Sequence, residues 1–352
     1  MAAQTKMTRW LIRAAVVALL GVLVSPVIVR PAQAQACTLS DKLVPSCGLL
    51  LGAWSNNHGV GSGFKARLLE HEQRIGRQVR IVHNYHSPSE PPPLTADEVF
   101  FAARPNTIVW VNWWPAAKWA DAAGGNATVN ARIAAVADSI KGVAPSKIML
   151  TIVHEPENDV LAGSTACPVD GRRHYGTAGT PADYRAMWRN VRSIFTARGS
   201  SNVVFNMNYM GYVPNWACEF KDLWPGNDLV DWVTWNPYSL NGSTETWDRT
   251  INSFYSWMSA NNDATHDFLS KPWGVGEFGV GSKATRAFEY QYYTDAKAAI
   301  DAGRFSRLKY YSVYDAIGAF ETRTNYDTAG VLNPTEQTKY NAFANDPLFL
   351  SS

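Results

Sequence analysis

Two stretches far apart in the chain each end an apolar run on a carboxylate. Thr151-Ile152-Val153-His154-Glu155-Pro156-Glu157 follows Lys147-Ile148-Met149-Leu150, and Pro272-Trp273-Gly274-Val275-Gly276-Glu277-Phe278-Gly279 repeats the design. A β-branched run stopped by a carboxylate and a proline predicts a buried strand breaking into a loop, which sets Glu155 at a strand mouth. Glu277 lies among glycines and aromatics with no adjacent cation. Acidic residues after a strand are ordinarily solvated loop charges. A pair of them at two strand ends is also the raw material of glycoside hydrolysis, in which one carboxyl protonates the leaving oxygen and the other attacks or activates water. Glu157 is the rival for the acid role; it ranks below Glu155 because it lies two residues further into the loop.

The elements that must position these residues follow from hydrophobic patterning. Eight apolar, β-branched runs alternate with longer amphipathic stretches: Leu49 to Trp54, Val79 to Asn84, Thr107 to Trp113, Ile148 to Val153, Val203 to Asn208, Trp232 to Trp235, Trp273 to Gly276, and Leu308 to Tyr314. Helix ends are legible between them. Thr95 with Glu98 makes a capping box for a helix through Ala103. Thr180-Pro181 opens another with apolar face Tyr184, Met187, Trp188, Val191 and Phe195, closed by Gly199. Ser282 is expected to start a third that ends at Gly303. Eight strand and helix repeats predict an α/β chain folded as a single (β/α)8 TIM barrel. An open doubly wound sheet is the alternative, weakened because Gly59, Gly61 and Gly63 lack dinucleotide spacing.

In such a barrel the loops after the strands gather on one face, where chemistry is done. The first strand delivers Trp54 there, the second His83, Tyr85 and His86, the third Asn112, Trp113 and Trp114, and the fourth His154 and Glu155. The fifth brings Asn208 and Tyr209, the sixth Trp235, Asn236 and Tyr238, the seventh Glu277, and the eighth Tyr314 and Asp315. Aromatic faces pack on sugar C–H faces, while Asn, His and Tyr bond their hydroxyls. Trp54, His83, His86, Trp113, Trp114, His154, Asn208, Trp235, Tyr238 and Tyr314 are therefore the candidate substrate contacts. For any single Trp, packing between barrel and helices is the competing role.

Composition bounds the rest. The chain has 352 residues, 46% hydrophobic and 18% charged, enough for one large domain or two small ones. Lys6, Arg9 and Arg13 precede the apolar run Ala14 to Val24, then Ser25-Pro26 and small residues at Ala32, Ala34 and Ala36. This predicts a signal peptide over 1–36, a catalytic domain over 37–352, and a secreted product. Cleavage removes four basic residues (Lys6, Arg9, Arg13, Arg30) from 32 and leaves 28 against 30 acidic ones. Nothing then calls for nucleic acid, or for a membrane in the mature form. Four cysteines in an exported chain favour two disulfides, with neighbours paired as Cys37–Cys47 and Cys167–Cys218. Their spacing matches no zinc pattern.

His154-Glu155-Pro156, Trp235-Asn236-Pro237-Tyr238 and Gly276-Glu277-Phe278-Gly279, in this order along the strands, resemble the retaining glycosidases of clan A, and within it family 26, which contains the β-mannanases. The resemblance implies Glu155 as acid/base, Glu277 as nucleophile and Tyr238 as the residue that orients Glu277. His154 stands where family 26 has histidine and most of the clan has asparagine, whereas Pro156-Glu157 looks more like other clan members. The resemblance further implies an endo-β-1,4-mannanase type of activity on a polysaccharide or oligosaccharide, with β-glucanase, β-xylanase or exopolysaccharide hydrolase as alternatives. No cofactor and no metal are expected, and a monomer is. Two other classes compete: a metal-dependent hydrolase built on His83, His86 and His154, and a non-catalytic polysaccharide-binding barrel that keeps the aromatic rim.

Overall fold

The eight apolar runs do become eight strands. A computed structural model of the protein describes residues 37–56, 63–164, 167, 176–240, 244–281, 284–316 and 334–351. The strands are β1 (Leu50–Asn56), β2 (Ile81–His86), β3 (Ile108–Trp113), β4 (Ile148–Ile152), β5 (Val203–Tyr209), β6 (Trp232–Trp235), β7 (Trp273–Phe278) and β8 (Leu308–Ala316). Each pairs in parallel with its sequence neighbours, and β8 pairs back on β1, closing the (β/α)8 barrel. The helices are α1 (Phe64–Ile75), α2 (Ala96–Ala102), α3 (Ala127–Gly142), α4 (Pro181–Arg198), α5 (Val213–Trp216), α6 (Trp247–Ala260), α7 (Arg286–Asp301) and α8 (Pro334–Ala344). The capping boxes at Thr95/Glu98 and Thr180/Asp183 both form, and Gly199 ends α4 in the left-handed region. The third expected helix starts later than Ser282, which lies outside the described residues: Thr285 accepts from the Phe288 N–H and opens α7 at Arg286, and Ala302 rather than Gly303 is its C-cap. The predicted leader over 1–36 also lies outside the described residues, and Cys37–Ser352 cluster as one unit.

Alternation along the strands sorts side chains into two cores. Leu50, Ile81, Ile108, Trp110, Met149, Val204, Trp232 and Tyr310 point inward and fill the barrel. Their neighbours, among them Leu51, Val82, Val109, Leu150, Phe205, Val233, Val275 and Tyr311, point outward and join the helices in a larger aromatic core. The disulfide Cys37–Cys47 (Cα–Cα 5.3 Å) ties a segment that contributes Leu43 to the inner core, where the Lys42 carbonyl accepts from Trp232 Nε1 at 2.5 Å. The second disulfide, Cys167–Cys218 (Cα–Cα 5.5 Å), links the chain after β4 to the chain after β5. Both pairings are those expected. Among the described residues, no helix is long and apolar enough to cross a membrane.

Toward the C-terminal ends of the strands the barrel interior turns polar. Thr151 Oγ1 accepts from Trp110 Nε1 at 2.9 Å and from Asn206 Nδ2 at 2.9 Å. Asn208 Nδ2 donates to Thr234 Oγ1 at 2.9 Å and to Asn236 Oδ1 at 3.0 Å. These buried groups hydrogen-bond one another, Asn206 Oδ1 alone among their side-chain atoms lacking a partner, and form a floor beneath the candidate site.

Candidate active site

The chain leaves β4 through two residues with positive φ, Val153 (φ 56°) and Glu155 (φ 48°). For residues with a Cβ, above all a branched one, such conformations cost about 1–3 kcal/mol each and persist only where the surroundings over-determine them. Here the Val153 N–H donates to the Trp113 carbonyl and the Glu155 N–H to the Asn208 carbonyl, both at 2.9 Å. The Glu155 carboxylate accepts from Asn236 Nδ2 at 2.7 Å and Asn158 Nδ2 at 3.1 Å.

Glu277 reaches the same place by a bulge. Pairing of β7 with β8 shifts register between Val275 and Phe278, whose side chains both join the outer core. Strict alternation would send Glu277 outward after an inward Gly276; the irregularity breaks the alternation and re-aims the carboxylate inward. Gly276 is required there, since a Cβ would lie 2.5 Å from Asn208 Nδ2 and 2.7 Å from Asn236 Oδ1. Glu277 Oε1 accepts from the Tyr85 hydroxyl at 2.6 Å and Oε2 from the Tyr238 hydroxyl at 2.5 Å.

Burial and then the charge of Glu155 push the Glu277 carboxyl up to about 8, while burial also raises Glu155. Two carboxyls in one water-poor site hold a proton between them. Burial taken alone would put that proton on Glu277. The donors argue the other way: burial and the Glu277 charge hold both phenols well above their ordinary pKa, so both remain O–H donors aimed at Glu277. Two short charge-assisted bonds favour the anion at Glu277 against the burial that raises it. The Asn236 amide donates to Glu155 and also helps lower the Glu277 pKa, after Tyr238 and Tyr85.

The rest of the rim is partly as expected. Trp54 and Tyr314 stack at 4.3 Å, with Tyr85 edge-on to Trp54 at 5.7 Å and Tyr238 edge-on to Tyr314 at 6.0 Å. His154 lies edge-on to Tyr85 at 5.3 Å, and burial lowers its pKa to about 4. His83 is fully buried, stacked on Trp110 at 3.5 Å and within 2.9 Å of Asn112 Nδ2; burial keeps it neutral. Asn208 is buried in the polar floor, and Trp114 is half-buried just past β3.

Three expected sugar contacts face the wrong way. Trp113 and Trp235 take the outward parity of their strands and are 1% and 0% exposed, Trp235 packing on Phe254 of α6. His86 is outward by the same count: its Nε2 meets Glu98 Oε1 at 2.6 Å, and its Nδ1 meets the Pro91 carbonyl at 2.7 Å. Burial opposes its protonated form, but Glu98 and Pro91 outweigh it and the His86 pKa is raised. Asp315, placed on the rim by the sequence reading, likewise turns outward, to His71 Nδ1 (3.0 Å) and Arg74 Nη2 (2.8 Å). The three-histidine metal set therefore does not converge, and among the described residues no group of three or more His, Cys, Asp or Glu could hold a metal ion. Glu157 is fully buried rather than loosely held in a loop. Asn236 and Tyr85 were placed on the rim without a role, yet they touch the carboxyls directly. Counting alternate residues inward from Trp232 and Ile81 would have singled them out.

The barrel superposes on solved structures of glycoside hydrolase family 26. A modular endo-β-1,4-mannanase from Cellulomonas fimi matches with a TM-score of 0.58 at 18% identity, over 86% of this chain and 72% of that one. A family 26 β-mannanase from Bacteroides ovatus matches at 0.58 and 14% identity, over 87% and 91%. The catalytic domain of a Bacillus sp. JAMB-750 endo-β-1,4-mannanase matches at 0.57 and 14% identity, over 86% and 87%. The chain has their fold. In sequence it is 27% identical over 237 residues to endoglucanase H of Acetivibrio thermocellus, covering 66% of this chain. The chain spans about a quarter of that relative's length, the aligned part being 24% of it. No protein-family model matches.

Proposed function

We propose that the protein is a retaining β-glycosidase acting on a β-linked polysaccharide, of the endo-β-1,4-mannanase type. The observation that carries this reading is the paired carboxyls of Glu155 and Glu277 at the ends of β4 and β7, with the Asn236 amide donating to Glu155 and two phenols donating to Glu277. Direct attack by the second carboxylate calls for a carboxyl spacing of about 5 to 5.5 Å, against roughly 6.5 to 9.5 Å where a water is admitted.

In the first step a Glu277 oxygen bonds to the anomeric carbon as the glycosidic C–O bond breaks; the electron pair leaves with the aglycone oxygen, which takes the Glu155 proton. In the second, Glu155 as carboxylate takes a proton from water, the water oxygen bonds to the anomeric carbon, and the bond to Glu277 breaks. Trp54 and Tyr314 offer a stacked platform at the rim for sugar faces. Export through a leader over 1–36, a catalytic domain from Cys37, and action as a monomer belong to the same reading; two disulfides support an oxidising destination.

A β-1,4-glucanase is the second reading, favoured by the sequence match to endoglucanase H. Reducing-end release by the purified protein from mannan, xylan and mixed-linkage glucan decides between them. Selective release from mannan is expected; selective release from glucan would replace the sugar but keep the mechanism, and none from any β-glycan would overturn the reading.

A further inference from the structure

Glu157 is a buried carboxyl for which the two-step reaction has no use. It lies in the single 3-10 turn Pro156–Asn158 that follows Glu155 and is 0% exposed. Its Oε1 accepts from the Gly211 N–H at 3.3 Å, in the loop after β5, and its Oε2 is buried without a partner. Gly211 is itself constrained: it has φ +75°, and a Cβ there would lie 2.8 Å from the Trp235 Cβ. The groups that face Glu157 are Glu155 on its own turn, Tyr184 on α4, Tyr209 on β5 and the backbone of Met210 and Gly211. None is a cation, so an anion there would be an uncompensated buried charge, which proteins avoid by keeping the proton.

We propose that Glu157 is a positioning residue: as a neutral acid it clamps the turn after β4 onto the loop after β5 and so holds the direction of the Glu155 carboxyl. The backbone at Glu155 and Val153 has positive φ and needs such ties. The only other links from this turn to β5 and its loop among the described hydrogen bonds run through backbone atoms, from the Glu155 N–H to Asn208. Burial, and next to it the Glu155 charge, raise the Glu157 pKa to about 8, in keeping with a proton retained at neutral pH.

The inference rests on the assignment of Glu155 as acid/base, and its test exploits what an acid does. A dinitrophenolate leaving group departs without protonation, whereas a sugar oxygen does not. For Glu157→Ala, kcat/KM on mannopentaose is expected to fall about 100-fold, the scale of a misplaced general acid, and less than about 5-fold on 2,4-dinitrophenyl β-mannobioside. Glu157→Gln, neutral and of the same shape, is expected to stay within about 3-fold of wild type on both at pH 6. If Glu157→Ala is insoluble, Glu157→Leu, which fills the hole without accepting from Gly211, is read in the same way. Equal losses on both substrates, or none on either, would overturn the proposal. A wild type inert on both mannosides would count against the mannan reading alone, and the matching cellooligosaccharide pair would then carry the comparison.

Discussion

The two phenols on Glu277 make opposite demands on pH from the burial that surrounds them, and Tyr238→Phe separates the two. The hydroxyl lies 2.5 Å from Glu277 Oε2, and after burial and Glu155, which raise the Glu277 pKa, Tyr238 is the first of the groups that lower it. A hydrogen bond to a charged group contributes about 1.5–3 kcal/mol, and one pKa unit corresponds to about 1.4 kcal/mol. Tyr85 remains on Oε1 at 2.6 Å and retains part of the effect, so the lower end applies, a rise of about one unit. The nucleophile must be ionised, so activity is lost on the acid side as Glu277 protonates; raising its pKa moves that limb to higher pH. The assay is the pH dependence of kcat/KM on a soluble oligosaccharide, which reports the free enzyme. The acid limb is expected to rise by about one unit in Tyr238→Phe, by a similar or smaller amount in Tyr85→Phe, and further in the double variant. An unmoved or lowered acid limb would refute the assignment of the negative charge to Glu277.

Glu155→Gln and Glu277→Gln are each expected to lose activity by about 10² to 10⁴-fold or more while circular dichroism and Tm stay near wild type. Trp54→Ala is expected to weaken oligosaccharide binding with little change in stability, whereas Trp235→Ala, which empties a site in the outer core, should cost about 3–5 kcal/mol in denaturant unfolding. Asp315→Asn should cost a comparable 3–5 kcal/mol, because Arg74 and His71 lose their buried carboxylate. Burial opposes the Asp315 charge, but Arg74 and His71 hold its pKa far below the carboxylate range. Its contribution is thus present above the unfolded carboxylate pKa and lost as pH falls, so the gap between wild type and Asp315→Asn should narrow in acid.

Strand count, order and both disulfides were legible because each rests on a local signal: a β-branched run, a cap, an even cysteine set in an exported chain. The two glutamates were legible as strand ends. Which side of a strand each rim residue faces was harder to read, since parity needs an anchor inside the barrel. Trp113, Trp235 and His86 look like sugar contacts by type, and only the inward Trp110, Trp232 and His83 one or more steps earlier show that they face the helices. Glu277 is the reverse case. Parity from Gly276 would turn it away, and the bulge that turns it back depends on pairing with β8, more than thirty residues on. The buried state of Glu157 was hidden for the same reason: it is made by Gly211, which comes close only once β4 and β5 are paired.

If Glu277 attacks the anomeric carbon and does not merely activate water, two inversions return the configuration of the substrate. Proton NMR of the anomer first formed from a β-linked oligosaccharide, recorded before mutarotation, reads this directly. The β anomer is expected first; an initial α anomer would make Glu277 a general base and contradict the mechanism.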